Sequence, residues 1–339
     1  MRKWKIAFAG FRHAHIMQVY NAVCEDPRFE IVGCCEEDRA HALPAAVEKV
    51  PLAWDSFDAM LKELPCDMVA IGDVYGKRGS MALRALKADR HVFCDKPLCT
   101  SLAELDGIEK TARERSLAVG CMFEMRFNPR FLIARELIAE GRIGRLCQIQ
   151  INGQHPLCRK SRPRWYFEKG CHGGTLNDIA GHAVDILPVL TGLKIRHFIT
   201  AREWQSLVPK DEYMTDAAQF MLELENGCGV TGDVSYNCFG GSGYSLHTYW
   251  RFNIWGTAGM IELNCIGDVR LYTGDGAEPQ TFTVPAEKRK TCFDSFMEEL
   301  SGTPGEFTTA SVIESSRLTL ELQALAGSGS GVQQEHQTN

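Results

Sequence analysis

Nowhere in the chain does an apolar run approach the ~20 residues that a membrane-spanning helix needs, which argues against a bilayer role. Basic residues are not in excess either: 37 lysines and arginines stand against 43 aspartates and glutamates, a net charge of −6. Binding a phosphate backbone needs a basic face, so no nucleic-acid or membrane-surface partner is expected. One local exception runs from Arg159 to Lys169, with Arg162, Arg164 and Trp165. Met1-Arg-Lys-Trp-Lys is followed only by a short apolar run, Ile6 to Gly10, so neither a signal-peptide core nor a twin-arginine address is read and the expected location is cytoplasmic. Cysteine is plentiful at 14, yet no C-x-x-C pair occurs and the spacing is irregular. In an intracellular chain these read as reduced, buried small hydrophobes. His155, Cys158, Cys171 and His172 have the ligand types of a tetrahedral zinc site. The 12-residue gap between the cysteines and the adjacent Cys171-His172 pair match no common zinc module, and no metal is expected.

What is present is a 339-residue chain with 45% hydrophobic and 24% charged residues. That length exceeds the size at which one core usually stops growing, so two domains are the default. Lys5 to Ala9 is a short apolar strand, Gly10-Phe-Arg-His-Ala-His15 the turn after it, and Ala14 to Cys24 a helix. The turn sits where a dinucleotide fingerprint would, but only its first glycine is present; Arg12 and His15 stand where the second and third should be. Strand Phe29 to Cys35 ends at Glu36-Glu37-Asp38. An acid at that place accepts hydrogen bonds from a ribose 2′-hydroxyl and repels a 2′-phosphate, favouring NAD over NADP through Glu36. An acidic helix N-terminus explains the cluster equally well, and Arg12 could accommodate the phosphate. Helix Asp55 to Leu64, strand Met68 to Ile71, loop Gly72-Asp-Val-Tyr-Gly76, helix Ser80 to Lys87, strand Val92 to Cys94, a Ser101/Glu104 capping box and strand Ala118 to Met122 continue the alternation. Residues 1–122 therefore read as a doubly wound Rossmann-type parallel sheet.

Beyond it the period changes. Asn128-Pro129 launches a helix to about Glu140. Alternating strands follow at Leu146 to Asn152, His197 to Arg202, Ala217 to Glu225, Gly229 to Tyr236, Trp250 to Trp255, Met260 to Asn264, Val269 to Tyr272 and Thr281 to Val284. Asn226-Gly227 is a hairpin signal. Helices Cys292 to Leu300 and Thr309 to Ala326 close the chain. Residues 123–326 thus read as an α+β domain with a large, mostly antiparallel open sheet, and 327–339 as a flexible tail.

Two stretches carry chemistry. In Val92-Phe-Cys-Asp95-Lys96-Pro97 a lysine ends an apolar strand and a proline stops it, which aims the ammonium into the crevice where open α/β folds bind ligands. In Gly173-Gly174-Thr-Leu-Asn177-Asp178-Ile-Ala-Gly-His182-Ala-Val-Asp185 a carboxylate lies one helical turn before a histidine and fixes its orientation, as a reversible proton acceptor requires. Taken singly, a surface lysine and a solvated Asp/His face explain them as well. In order, the glycine turn, the acid after the second strand, Asp95-Lys96-Pro97, Arg126-Phe127-Asn-Pro129 and Gly-Gly-x3-Asp178-x3-His182 resemble the glucose-fructose oxidoreductase/inositol dehydrogenase (Gfo/Idh/MocA) family over about residues 5 to 325. The resemblance implies a nicotinamide dehydrogenase acting on a secondary alcohol of a sugar, glycoside or cyclitol, with Lys96, Asp178 and His182 catalytic. It implies cofactor contacts from Gly10, Phe11, Arg12, His13, His15, Glu36, Asp73, Asp95, Lys96 and Pro97, and substrate contacts from Arg126, Trp165 and Asn177 beside the catalytic three. It also implies NAD (NADP as the alternative) and a homodimer or homotetramer. Asp95 replaces the family's usual glutamate, and Gly72-Asp73-Val-Tyr its Thr-Pro loop. A redox-neutral, NAD-holding glycosidase or epimerase and a non-catalytic nucleotide sensor share the scaffold; the intact lysine, aspartate and histidine argue against the sensor.

Overall fold

Strand β1 (Trp4–Phe11) is buried along all but its first two residues and β3 (Met68–Gly72) along its whole length, as central strands of a two-sided sheet must be. The computed structural model describes residues 3–239, 243–247, 249–274, 278–284 and 290–327. With β2 (Phe29–Cys35), β4 (His91–Cys94) and β5 (Val119–Cys121) these strands form a parallel sheet of order β2-β1-β3-β4-β5. The helices between them are α1 (Ile16–Glu25), α2 (Pro44–Lys49), α3 (Phe57–Glu63), α4 (Tyr75–Lys87) and α5 (Leu102–Arg115). Ser56 caps α3 by accepting from the Ala59 N–H, and Ser101 caps α5 by accepting from Glu104. The Glu104 carboxylate reaches Thr100 N–H at 3.3 Å, one residue before the position a capping box would use.

The chain divides by packing into two units. The first comprises Met1–Glu124, Ser161–Gly173 and Arg289–Arg317; the second Met125–Lys160, Gly174–Lys288 and Leu318–Asn339. Within the second, α6 (Pro129–Ala139) begins at the Asn128 cap with proline in its first turn, as the sequence predicts. Strand β6 (Leu146–Pro156) follows, then helix α7 (Gly181–Thr191) after a π-helical turn at Leu176–Ala180. The remaining strands are β7 (Ile195–Trp204), β8 (Ala217–Leu224), β9 (Gly229–Cys238), β10 (Arg251–Gly256), β11 (Gly259–Leu263), β12 (Val269–Thr273) and β13 (Gln280–Phe282). Their order is β13-β12-β11-β10-β6-β9-β8-β7. Neighbours are antiparallel except β6 and β9, which run parallel. The β8–β9 hairpin turns at Asn226-Gly227, with Gly227 at φ +83° and the Asn226 side chain accepting from Cys228 N–H. β8 alternates buried and exposed residues, the mark of a sheet packed on one face. Helix α6 packs on β11 and β12, and Phe131 meets Phe252 of β10 edge-on at 5.0 Å.

The closing helices are α8 (Cys292–Leu300) and α9 (Thr309–Gly327). Phe293 and Phe296 of α8 pack on Phe93 of β4 at 5.0 and 5.4 Å, and Thr309 of α9 accepts the Val119 N–H of β5 at 2.9 Å. Two boundaries differ from expectation. Helix α4 begins at Tyr75, inside the segment read as a loop, and a 3-10 turn at Arg39–His41 replaces the helix expected directly after Glu36-Glu37-Asp38. The tail expected at 327–339 lies, from 328 on, outside the described residues. No described helix is long and apolar enough to cross a membrane.

Candidate active site

The first unit supplies the turn between β1 and α1. Gly10 sits at φ +75°, and a Cβ there would lie 2.5 Å from Asp73 Cβ and 2.6 Å from Asp73 N, so the close approach of β3 requires glycine. Phe11 N–H donates to Glu36 Oε2 at 2.6 Å, while the N–H groups of Arg12 and His13 both donate to the Gly72 carbonyl at 3.2 and 3.1 Å. Glu36 is fully buried and its second oxygen accepts from Asp38 N–H at 2.9 Å. Burial pushes its carboxyl above the usual range, against those backbone donors. Arg12 is buried, pairs with Asp38 at 3.0 Å, and accepts the Trp165 indole N–H on its carbonyl at 3.3 Å.

At the end of β4, Asp95 is fully buried with three partners: His13 Nδ1 at 2.5 Å, Arg78 at 2.9 Å and His15 Nδ1 at 3.2 Å. Burial alone would raise the Asp95 carboxyl; Arg78, then His13 and His15, outweigh it and hold it well below the usual carboxylate range. For His13 burial wins over the attraction of Asp95, and its pKa falls to about 4. Arg78, itself fully buried, also donates to the carbonyls of Asp73 (2.8 Å), Asp95 (3.0 Å) and Lys96 (2.5 Å). It thereby ties the end of β3 to the Asp95-Lys96-Pro97 turn, whose Lys96–Pro97 peptide is cis. Lys96 is buried.

Around this turn stands an aromatic wall. Tyr75 shares a hydroxyl–hydroxyl hydrogen bond of 2.9 Å with Tyr166, Trp165 stacks on Tyr166 at 4.0 Å, and His172 lies 5.6 Å from Tyr75. A Cβ on Gly76 would fall 1.9 Å from the Gly170 carbonyl, and Gly76 N–H donates to Cys171. Trp165, expected as a substrate contact, is thus buried against the β1–α1 turn.

Asp178 and His182 belong to the second unit. Gly174, at φ +101°, packs against the Gln323 amide, where a Cβ would lie 2.1 Å away. Gln323 accepts from Asn177 N–H at 2.9 Å and donates to Glu203, which accepts from Leu176 N–H at 2.5 Å. These contacts hold the start of the π turn, where a regular α-helix is expected from sequence; such turns recur at functional sites. Asp178 is buried and accepts the Tyr236 hydroxyl. His182 is half-buried, with Trp250 edge-on at 5.7 Å. Asp185 does not stand as a free member of an Asp/His stripe: Arg126 Nε and a terminal nitrogen clasp it at 2.8 and 2.6 Å, both groups buried. The Arg126 expectation as a substrate contact therefore meets a guanidinium already engaged in a buried pair.

His155 is ringed by Tyr249 at 5.1 Å and Trp250 at 5.7 Å. Among the described residues the grouping whose ligand atoms lie close enough for a metal, within 4.8 Å of one another, is His13, His15 and Asp95. The sequence reading missed Arg78, Tyr75, Tyr166 and Tyr236. Nothing in the local spacing marks them, because each acquires its role from a partner remote in sequence.

Residues 4–123 match the profile "Oxidoreductase family, NAD-binding Rossmann fold" and residues 131–262 the profile "GFO/IDH/MocA C-terminal domain". Levoglucosan dehydrogenase of Pseudarthrobacter phenanthrenivorans is 26% identical over 208 residues, 54% of this chain and 52% of that protein. Inositol 2-dehydrogenase of Rhizobium meliloti is 26% identical over 157 residues, 45% and 46% of the two chains. The chain spans about half the length of these curated relatives. In fold it resembles the WlbA dehydrogenase of Bordetella pertussis, solved with NADH and UDP-GlcNAcA, at TM-score 0.76 and 19% identity over 97% of this chain and 98% of that one.

Proposed function

The chain belongs to the Gfo/Idh/MocA oxidoreductase family, and from that premise we propose that it transfers a hydride between a secondary alcohol of a sugar, glycoside or cyclitol and a nicotinamide dinucleotide. The observation carrying this reading is Lys96, buried at the carboxyl end of β4 with its backbone pinned by the buried Arg78. A lysine so fixed serves chemistry at a strand end better than it serves solubility. Relatives named for levoglucosan and inositol support a polyhydroxylated substrate.

The turn residues fit a dinucleotide. Gly10 admits the close approach of β3, α1 follows directly, and the buried Arg12 Nε has no partner among the described residues. The carboxylates Glu36 and Asp38 after β2 oppose a 2′-phosphate, which supports NAD. When bound, nicotinamide supplies a hydride acceptor at C4. In this reading His182 takes the hydroxyl proton, Lys96 stabilises the developing alkoxide, and Asp178, steadied by the Tyr236 hydroxyl, positions the substrate. His182→Ala and Lys96→Met are each expected to lower turnover at least ~10²-fold with an unchanged circular-dichroism spectrum. Undiminished turnover in either variant removes that residue from the mechanism, and a panel of sugars, glycosides and cyclitols followed by NADH absorbance identifies the substrate.

The same reading includes self-association. Ile199 and Met221, on adjacent strands β7 and β8, are exposed, an arrangement that suits a second copy. Light scattering at the mass of a single chain overturns it.

A further inference from the structure

In an ordinary glycine-rich turn the backbone N–H groups face the dinucleotide pyrophosphate. Here those of Phe11, Arg12 and His13 are committed to Glu36 and to the Gly72 carbonyl. With these three amides engaged, side chains of the turn are left to meet a bound anion. His15 occupies the N-cap of α1, keeps over a third of its surface exposed, and directs Nδ1 to Asp95 at 3.2 Å. His13 lies edge-on against it at 4.5 Å and holds the other oxygen of the same carboxylate. Arg12 brings a buried Nε with no partner among the described residues.

We propose that His15, anchored by Asp95, is the pyrophosphate-binding side chain of this dinucleotide site, taking the place of glycine backbone. This inference rests on reading the chain as a dinucleotide-binding oxidoreductase. With Nδ1–H turned to Asp95, the imidazole offers Nε2, which donates to a phosphate oxygen only when protonated. The charged and titratable groups around the imidazole are His13 on the turn, Asp95 at the end of β4, Arg78 of α4 behind that carboxylate, and Glu124 after β5, whose charge couples to His15. The same three ligand groups could instead hold a metal ion. The direct 2.5 Å contact of His13 with Asp95, and the Arg78 guanidinium 2.9 Å from the same oxygen, favour a hydrogen-bonded group.

The test is calorimetric titration of wild type, His15→Ala and His15→Asn with NAD+ and ADP-ribose, with adenosine followed by ligand-detected NMR. Wild type should bind both pyrophosphate ligands more tightly than adenosine. His15→Ala should lose at least ~10-fold in affinity for NAD+ and ADP-ribose, the scale of a charge-assisted hydrogen bond, with adenosine unchanged. His15→Asn, a neutral donor, should recover part of that affinity. Wild-type affinity in His15→Ala, or an equal loss for adenosine, overturns the inference while leaving the oxidoreductase reading standing. Stoichiometric zinc in wild type that disappears in His15→Ala overturns it in favour of a metal centre. Failure of wild type to bind either pyrophosphate ligand overturns both.

Discussion

The buried charges at the end of β4 show how much one residue can decide. Asp95 and Arg78 are both fully buried, and each compensates the other. Arg78→Met leaves the carboxylate without its main counter-charge and is expected to cost ~3–5 kcal/mol in urea unfolding, a loss no surface salt bridge would approach. His13 sets a pH dependence of definite sign. Burial lowers its pKa from 6.5 to about 4, so between these values the unfolded chain binds a proton that the folded chain does not. Stability therefore falls as pH drops from 6.5 towards 4. His13→Gln should flatten that part of the profile in thermal melts at stepped pH, and an unchanged slope would show that other groups govern the window.

Elements were legible wherever a local signal coincided with a local cause. Ser101, Asn128 and Asn226-Gly227 each do in the structure what such residues do in any chain, because a cap or a tight turn is closed by its own neighbours. Ser101→Ala should cost about 1 kcal/mol in equilibrium unfolding. Gly76 misled for the opposite reason: read as a loop residue, it is a helical glycine whose missing side chain makes room for the Gly170 carbonyl, 94 positions later. The parallel pairing of β6 with β9 and the π turn before α7 likewise depend on partners far along the chain. Lys96, Asp178 and His182, proposed as catalytic, were visible as types in a pattern, whereas the Arg78 clasp on the Asp95-Lys96 turn and the Tyr236 hydroxyl on Asp178 had no signature. Gly10→Ala tests the turn itself. Glycine-to-alanine at a compatible site stabilises by up to ~1 kcal/mol; here, strain at φ +75° and a 2.5 Å clash with Asp73 should reverse the sign and lower stability by more than that amount, read as a lower urea midpoint.

At the scale of the molecule, neither unit is a continuous stretch of sequence. The parallel sheet ends at Cys121, but its aromatic cover, Phe293 and Phe296, and the Thr309 hydroxyl that receives the Val119 N–H, arrive with α8 and α9. A fragment of residues 1–124 therefore leaves Phe93 uncovered. It should show a lower and broader urea transition than the same unit within the whole chain, measured by circular dichroism; an equal midpoint would show that α8 and α9 contribute little to the sheet.

That α8 closes over β4 also sets a timetable for biosynthesis. At the usual ~5–20 residues per second, roughly 200 residues must be translated between Phe93 and its cover, so the nascent sheet waits at least ten seconds or so on the ribosome with an oily flank open to solvent. Holdase chaperones would find their binding surface on this chain during that interval, well before the last helices leave the exit tunnel.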